Sequence, residues 1–409
     1  MSRQMTMSER PRGRLAWSSV LFLFLFLGFG LGCGEGQVSS DEGWADAALT
    51  ADSRAHRHPP EAKVTVLTSG LNNPRGLKFG PDGALYVAEG GLGGTDPAPA
   101  TEDCTVPPPV GPYTGSVVGS RISRIDHHGR RTTVVDGLPS SQTSDESGDL
   151  VSGVADIAFL DGAMYAILAG AGCSHGVPGT PNGVIRIHHH GGWSLVADLG
   201  AFQRAHPVAH PQPLDFEPDG TWFNMVAVHD ALYAVEPNHG EIDRIGTGGH
   251  VSRVVDFSAS QGHVVPSALA YHRGNFYVGN LGVFPQDPGT SKVWKLTPQG
   301  HVSVVAEGFN MVLGLAFDRD GRMYVLQSSA APAPTPGTGS VTRVDRDGSQ
   351  HAVVGGLSTP TAMTFGPDGD LYISNVGFGP PPVGLGEILK VRLPRDSREH
   401  DRGDDDDDE

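Results

Sequence analysis

Apolar residues along this chain alternate with polar ones in short runs, and the runs come in pairs around polar turns. The second run of each pair opens on an apolar residue followed by tyrosine: Leu85-Tyr86, Met164-Tyr165, Leu232-Tyr233, Phe276-Tyr277, Met323-Tyr324 and Leu371-Tyr372. Six of the eight tyrosines sit in this context, at spacings of 79, 68, 44, 47 and 48 residues. Five to seven residues ahead of each stands an apolar anchor: Phe79, Phe159, Val228, Tyr271, Phe317 or Phe365. Between anchor and tyrosine lie turn formers such as Asp82-Gly83 and Asp368-Gly369, which accept positive φ at both turn positions. Each copy therefore predicts a β-hairpin.

A third apolar run with a basic residue in it follows each hairpin: RISRID, VIRIHH, EIDRIG, KVWKLT, SVTRVD and EILKVR. A fourth run follows five times, in TTVVDGL, SLVADLG, SRVVDFS, SVVAEGF and HAVVGGL. The sixth copy lacks its fourth run, but VTVLTSGL, from Val64, has the same pattern and precedes the first hairpin. Four strands per repeat of about 45 residues is the pattern of a propeller blade. The expectation is an all-β, six-bladed β-propeller of four-stranded blades over residues 63–394, closed by an N-terminal strand that completes the last blade and hides the edges.

If strands run in order within a blade, the long insertions share one face. They fall at residues 90–119, 169–182 and 201–221, with shorter ones at 281–291, 328–338 and 376–385. Loops on a rigid scaffold carry binding, so function is expected on this inserted face. Three residues after each repeat tyrosine stand Glu89, Leu168, Glu236, Asn280, Gln327 and Asn375. The first strands begin near Arg75, Asp156, Asn224, Ser267 and Thr361. The candidate ligand or metal set is Glu89, Asp156, Asn224, Glu236, Asn280, Gln327 and Asn375. Carboxylate and amide oxygens suit a hard cation such as calcium, and they equally fix a polar organic ligand. The competing account is that strand ends beside a water-filled channel are polar because they are solvated.

Cys104 and Cys173 fall in insertions of neighbouring blades, and a disulfide between them is expected, with two free thiols or a metal site as the alternatives, the latter lacking a further cysteine to complete a zinc set. His127-His128 and the run at 188–190 sit at turns on the opposite face and read as exposed turn residues. His206, His210 and His239 lie on the inserted face as candidate general bases, although no spacing singles them out. The basic residues of the third runs read as inter-blade or surface ion pairs.

Composition narrows the class. There are 57 glycines and 32 prolines, favouring many tight turns over long helices. Net charge is −17, of which the final DDDDDE supplies six, and an acidic body argues against nucleic acid. Residues 395–409 read as a solvated acidic tail. At the start, Arg3, Arg10, Arg12 and Arg14 precede an apolar run from Leu15 to Leu31 that ends at Gly32-Cys33. Residues 1–33 therefore read as a lipoprotein-type signal peptide with Cys33 as the lipidation site; ordinary secretion and a retained anchor are the alternatives. Residues 34–62 read as a flexible linker. The protein is expected to be exported to a bacterial cell envelope or secreted, touching the membrane only through the N-terminal anchor.

SGLNNPRGLKFGPDGALYVAEGG, with PYTGSVVGSRISRID after it, resembles the ScyD/ScyE family of exported six-bladed propellers, and the resemblance covers residues 64–393. It implies export and the propeller fold, and it carries no defining catalytic set. The blade grammar also resembles NHL repeats, used for protein binding, and the gluconolactonase/regucalcin-like and strictosidine-synthase-like propellers. That second resemblance implies a central cation held by Glu, Asn and Asp, for which Glu89, Asp156, Asn224 and Asn280 are the candidates here. The leading expectation is a monomeric binding module for a small molecule or a cell-envelope protein. The alternative is a calcium-dependent hydrolase or lyase with its site at the channel mouth. A quinone-dependent sugar dehydrogenase is a third reading, and it lacks a base with a supporting carboxylate.

Overall fold

The computed structural model describes residues 62–212, 217–330, 334–379 and 384–394. The expected leader with Cys33, the linker before residue 62 and the acidic tail lie outside them. Six antiparallel sheets stand in a ring, each contacting the next through its innermost strand. Blade 1 runs from Pro74–Phe79 through Leu85–Glu89 and Thr114–Ile125 to Arg131–Gln142. Blades 2 to 5 start at Val154–Leu160, Asn224–Val228, Pro266–His272 and Val312–Phe317. Blade 6 holds Ala362–Phe365, Leu371–Asn375 and Gly386–Arg392, and its outermost strand is Lys63–Leu71. Val64 faces Val391 in that register, so strands from the two ends of the propeller close the ring as expected.

The repeat tyrosines explain how the blades meet. Tyr86 stands edge-on to Phe159 of the next blade, with ring centroids 5.1 Å apart. Tyr277 meets Phe317 at 4.8 Å, Tyr324 meets Phe365 at 5.0 Å, and Tyr372 meets Phe79 at 5.0 Å. Each contact pairs a repeat tyrosine with the anchor of the following blade, and Tyr372–Phe79 is the one that spans the closure. Edge-to-face pairs suit the aromatic quadrupole and add about 1 kcal/mol beyond the area they bury. Apolar clusters fill the blade interfaces, including one of Leu71, Leu77, Leu85, Ile125 and Ile388 at the closure. Tyr372→Leu keeps the apolar volume and loses the edge contact; urea unfolding should show a loss of about 1 kcal/mol, and an unchanged midpoint would remove the tyrosine from the account of ring closure.

Four of the six basic residues of the third strands form ion pairs within their own blade, Arg343 with Asp345 at 2.9 Å among them. Arg124 bonds Asp82 at 2.8 Å, Arg244 bonds Asp230 at 3.2 Å and Lys390 bonds Asp368 at 2.7 Å, each carboxylate coming from the hairpin turn. These pairs are solvent-screened and contribute little to stability.

Two stretches read as loops carry regular structure. The third and fourth strands of blade 1 are 12 residues each and run past the blade as a long hairpin, to which Asp96–Pro97 and Val151–Ser152 pair. Small and polar residues in Thr114–Ser120 give that extension a weak strand signal. The segment before blade 3 opens with a short helix, Leu199–Ala205, capped by Asp198, whose carboxylate accepts from Ala201 N at 2.7 Å.

Candidate functional site

Glu89 is fully buried, and its carboxylate accepts from Arg121 at 2.9 Å, from the Ser123 hydroxyl, and from the backbone N–H of Asn72 at 2.8 Å. Asn72 belongs to the segment that enters blade 1. The same arrangement recurs around the ring. Glu236 accepts from Thr221 N at 3.0 Å, Gln327 from Asn310 N at 2.9 Å, and Asn375 from Ser358 N at 2.9 Å. Asn280 reverses the polarity, its amide donating to Val264 O at 2.9 Å while its oxygen accepts from Lys292 N at 2.6 Å. In four blades the residue after the clasped one has positive φ without being glycine: Asn73, Val265, Met311 and Thr359. Such backbone is costly for β-branched Val265 and Thr359 and persists only where neighbours over-determine it. In these four blades the polar residue three after the tyrosine holds that strained turn in place.

Asp156 and Asn224 lie on innermost strands and do meet. Asp156 Oδ2 accepts from Asn224 Nδ2 at 2.6 Å and from Met225 N at 2.8 Å, and Lys78 Nζ stands 3.5 Å away. Burial raises the Asp156 pKa, opposed chiefly by the Lys78 charge. Asn224 Oδ1 accepts from Leu269 N at 2.8 Å, Ser267 donates to Val312 O at 2.6 Å and Thr361 donates to Pro74 O at 2.7 Å. Each of these bonds ties one innermost strand to a neighbouring blade.

Of the residues proposed for a central cation, Asp156 and Asn224 come together, while Glu89 and Asn280 turn into their own blades. Glu89 already carries Arg121, and Asp156 carries Lys78. A carboxylate compensated by a cationic side chain is a poor calcium ligand, so this donor set does not fit the ion. Among the described residues no group of three or more His, Cys, Asp and Glu side chains is placed to hold a metal.

The mouth of the channel on the inserted face is occupied by three side chains. Phe223, at the start of blade 3, stacks with Phe378 of blade 6, with centroids 6.1 Å apart and planes 12° from parallel. Blades 3 and 6 are diametrically opposed in a six-membered ring, so these rings meet over its axis. Arg75 of blade 1 packs its guanidinium 3.7 Å from the Phe378 centroid and donates to Val151 O. Burial lowers its pKa to about 9, which leaves it cationic at neutral pH and makes the contact a cation–π one.

Beside this plug the three long insertions converge on a buried polar pit. The Cys104–Cys173 disulfide forms as expected and joins the first insertion to the second, with Cα atoms 5.2 Å apart. Gly115 and Gly176 let the two backbones touch: a Cβ on Gly115 would lie 2.1 Å from His175 O, and one on Gly176 2.2 Å from Asp96 O. Tyr113 then packs against His175 with ring centroids 4.6 Å apart and planes tilted by 53°, and it donates to Glu217 Oε1 at 2.6 Å. Glu217 comes from the third insertion, and its Oε2 is buried without a hydrogen-bond partner, as is His175 Nε2. Burial raises the Glu217 pKa to about 7, with Tyr113 opposing the rise and the Glu236 charge adding to it. Burial lifts Tyr113 well above the usual phenol value and lowers His175 to about 4, so the imidazole is neutral near pH 7. Burial also acts on Glu236, but His239 and the backbone N–H groups of Thr221 and His239 outweigh it and hold that carboxyl below its ordinary range.

Two neighbouring carboxyls with pKa values pushed apart are an arrangement able to exchange protons with a ligand. Ser174, His175 and Asp219 are not ordered as a hydrolytic triad: the buried serine stands 3.3 Å from His175 Nδ1 but donates directly to Asp219 Oδ2 at 2.8 Å, whereas in a triad the histidine lies between the two. Of the histidines singled out, His239 borders the pit with Nδ1 3.5 Å from Glu236. His206 lies at the end of the short helix, and His210 N donates to Ser258 Oγ at 3.1 Å. Tyr113, His175 and Glu217 were not among the expected site residues, because non-repeating insertions carry them.

No known family's sequence profile matches this chain, and no curated protein matches it. Solved structures do. The fold is shared with a structural-genomics protein of unknown function from Bacteroides thetaiotaomicron, at TM-score 0.51 and 14% identity over 81% of this chain and 76% of that one. A gluconolactonase from Xanthomonas campestris aligns at TM-score 0.50 and 13% identity, over 81% of this chain and 90% of its own. Virginiamycin B lyase from Staphylococcus aureus aligns at TM-score 0.44 and 13% identity, over 81% and 100%. At such identities the likeness establishes a six-bladed propeller with gluconolactonase-class neighbours, and function has to be argued from the site.

Proposed function

We infer that the chain is an exported, lipid-anchored propeller of the ScyD/ScyE type that binds a small molecule or a cell-envelope partner through its inserted face. The observation that carries this reading is the convergence of three insertions, two of them joined by the disulfide, on a pit whose Glu217 keeps one oxygen unpartnered. A disulfide is consistent with an oxidising, exported setting, and among the described residues no helix is long and apolar enough to cross a membrane. Phe223 and Phe378, half-buried at the ring axis, add an aromatic platform beside the pit.

The test places a photo-crosslinking amino acid at Phe378 and, as a control, at His189 on the opposite face, in the native host. Adducts at Phe378 that are absent at His189 are expected. Equal labelling at both positions, or none at either, counts against binding through this face. The second reading, hydrolase or lyase chemistry, draws on the split between Glu217 and Glu236. It requires turnover on a lactone and ester panel that Glu217→Gln abolishes.

A further inference from the structure

The ring closure also builds a cationic cleft on the face away from the insertions. Lys63 and Arg392 stand directly opposite each other across the last rung between the outer two strands of blade 6, with Thr65 opposite Lys390 two residues on. Alternation along a strand puts these four side chains on one face, where they line an open cleft with Asp370. Like charges at directly opposed positions destabilise a sheet unless an anion compensates them. The local carboxylates do so only in part: Lys390 takes Asp368 at 2.7 Å and Asp370 at 3.2 Å, leaving Arg392 with a distant 3.7 Å approach to Asp370. Lys63 forms no ion pair among the described residues. Three cations against two carboxylates leave a net positive cleft. On the other face of the same strand Val64 and Val66 are exposed, at 41% and 55%.

The insertion around blade 1 carries Asp96, Glu102, Asp103, Asp145, Glu146 and Asp149, with no Lys or Arg in residues 90–120 or 143–153. Topology adds direction, since the propeller begins at Lys63 and its last strand ends at Arg392, both beside the cleft.

We propose that this cleft seats the phosphate of an anionic membrane lipid, with Lys63 and Arg392 as its main contacts and Val64 and Val66 against the interface, so that the propeller stands with its inserted face away from the bilayer. The orientation rests on the lipid-anchor reading above; the binding itself does not. The test therefore uses the chain from residue 34 onward, which carries neither the acylated Cys33 nor the apolar run Leu15–Leu31, in co-sedimentation with vesicles. Binding is expected to phosphatidylethanolamine–phosphatidylglycerol vesicles and not to phosphatidylcholine alone, weakening as salt is raised. A Lys63→Glu, Arg392→Glu protein should bind at least about tenfold less tightly, each basic residue near an anionic surface being worth about 1 kcal/mol. Lys292→Glu, outside the cleft, should leave binding unchanged, and matched melting temperatures show that the variants fold. Equal binding to both vesicle types, or no loss in the double variant, overturns the proposal. Saturable binding of inorganic phosphate without vesicle binding assigns the cleft to a soluble phosphate and overturns it as well. Fatty-acid labelling of Cys33 separately decides the anchor.

Discussion

Replacing Cys104 and Cys173 together by alanine should cost about 4 kcal/mol of unfolding free energy. The bond spans 69 residues, and in the chain-entropy description closing a loop of that length removes about this much from the unfolded state. Here the consequence is local as well as global. The two short turns that carry the cysteines, Glu102–Cys104 and Cys173–His175, belong to different blades, and the second leads directly into Ser174 and His175 under Tyr113. Without the bond, the first insertion is tied to the second only by the glycine-mediated backbone contacts and the tilted Tyr113–His175 ring contact. Guanidinium unfolding of the double variant should show a lower midpoint, and hydrogen exchange should show lost protection in 96–113 before the blades respond. A midpoint within about 1 kcal/mol of the wild type would mean that packing alone fixes the insertions.

The second large effect concerns pH, and it is hidden in the intact protein. Glu217 is raised from 4.5 to about 7, so its contribution is fully present below pH 4.5 and is lost as pH rises through about 7. His175 is lowered from 6.5 to about 4, so its contribution is present above pH 6.5 and is lost as pH falls towards 4. Each group changes stability by about 1.4 kcal/mol per pH unit within its window, with opposite sign. Between roughly pH 4.5 and 6.5 the two slopes cancel. Glu217→Gln should uncover a stability that rises with pH across this range, and His175→Asn one that falls with pH. Either slope amounts to about 3 kcal/mol over its full window, and each is read as a difference from wild type by urea unfolding at a series of pH values. Identical pH profiles for all three proteins would show that neither group is held in its shifted state.

The fold was readable because each blade repeats one physical requirement. A hairpin needs Asp-Gly or its equivalent, the second strand needs an apolar residue and tyrosine for the interface, and the anchor must wait on the next blade; Tyr86 and Phe159 are such a pair although 73 positions separate them. The polar residue three after the tyrosine was equally visible. What it touches was not, because that depends on where the incoming chain runs, and Asn72, Asn310 and Ser358 present backbone groups that leave no mark on side-chain identity. The pit was invisible for a different reason. Tyr113, His175 and Glu217 come from insertions of unequal length with no period, and only the close approach at Gly115 and Gly176 brings them together. A lone tyrosine outside the repeat, near a proline-rich run ending Gly111-Pro112, was the one hint in the sequence.

The way the ring closes has a bearing on how the protein is made. Thr65 pairs with Lys390, 325 positions further along the chain, so the strand synthesised first waits unpartnered until almost all of the propeller has been produced. Until then blade 1 also lacks the Tyr372 contact on Phe79, and an edge stays open at each end of the growing arc. Long-range pairing of this kind delays folding until the final contacts are available. Loss of the last strand, Gly386–Arg392, would take from both Lys63–Leu71 and Leu371–Asn375 their shared partner and leave the ring open.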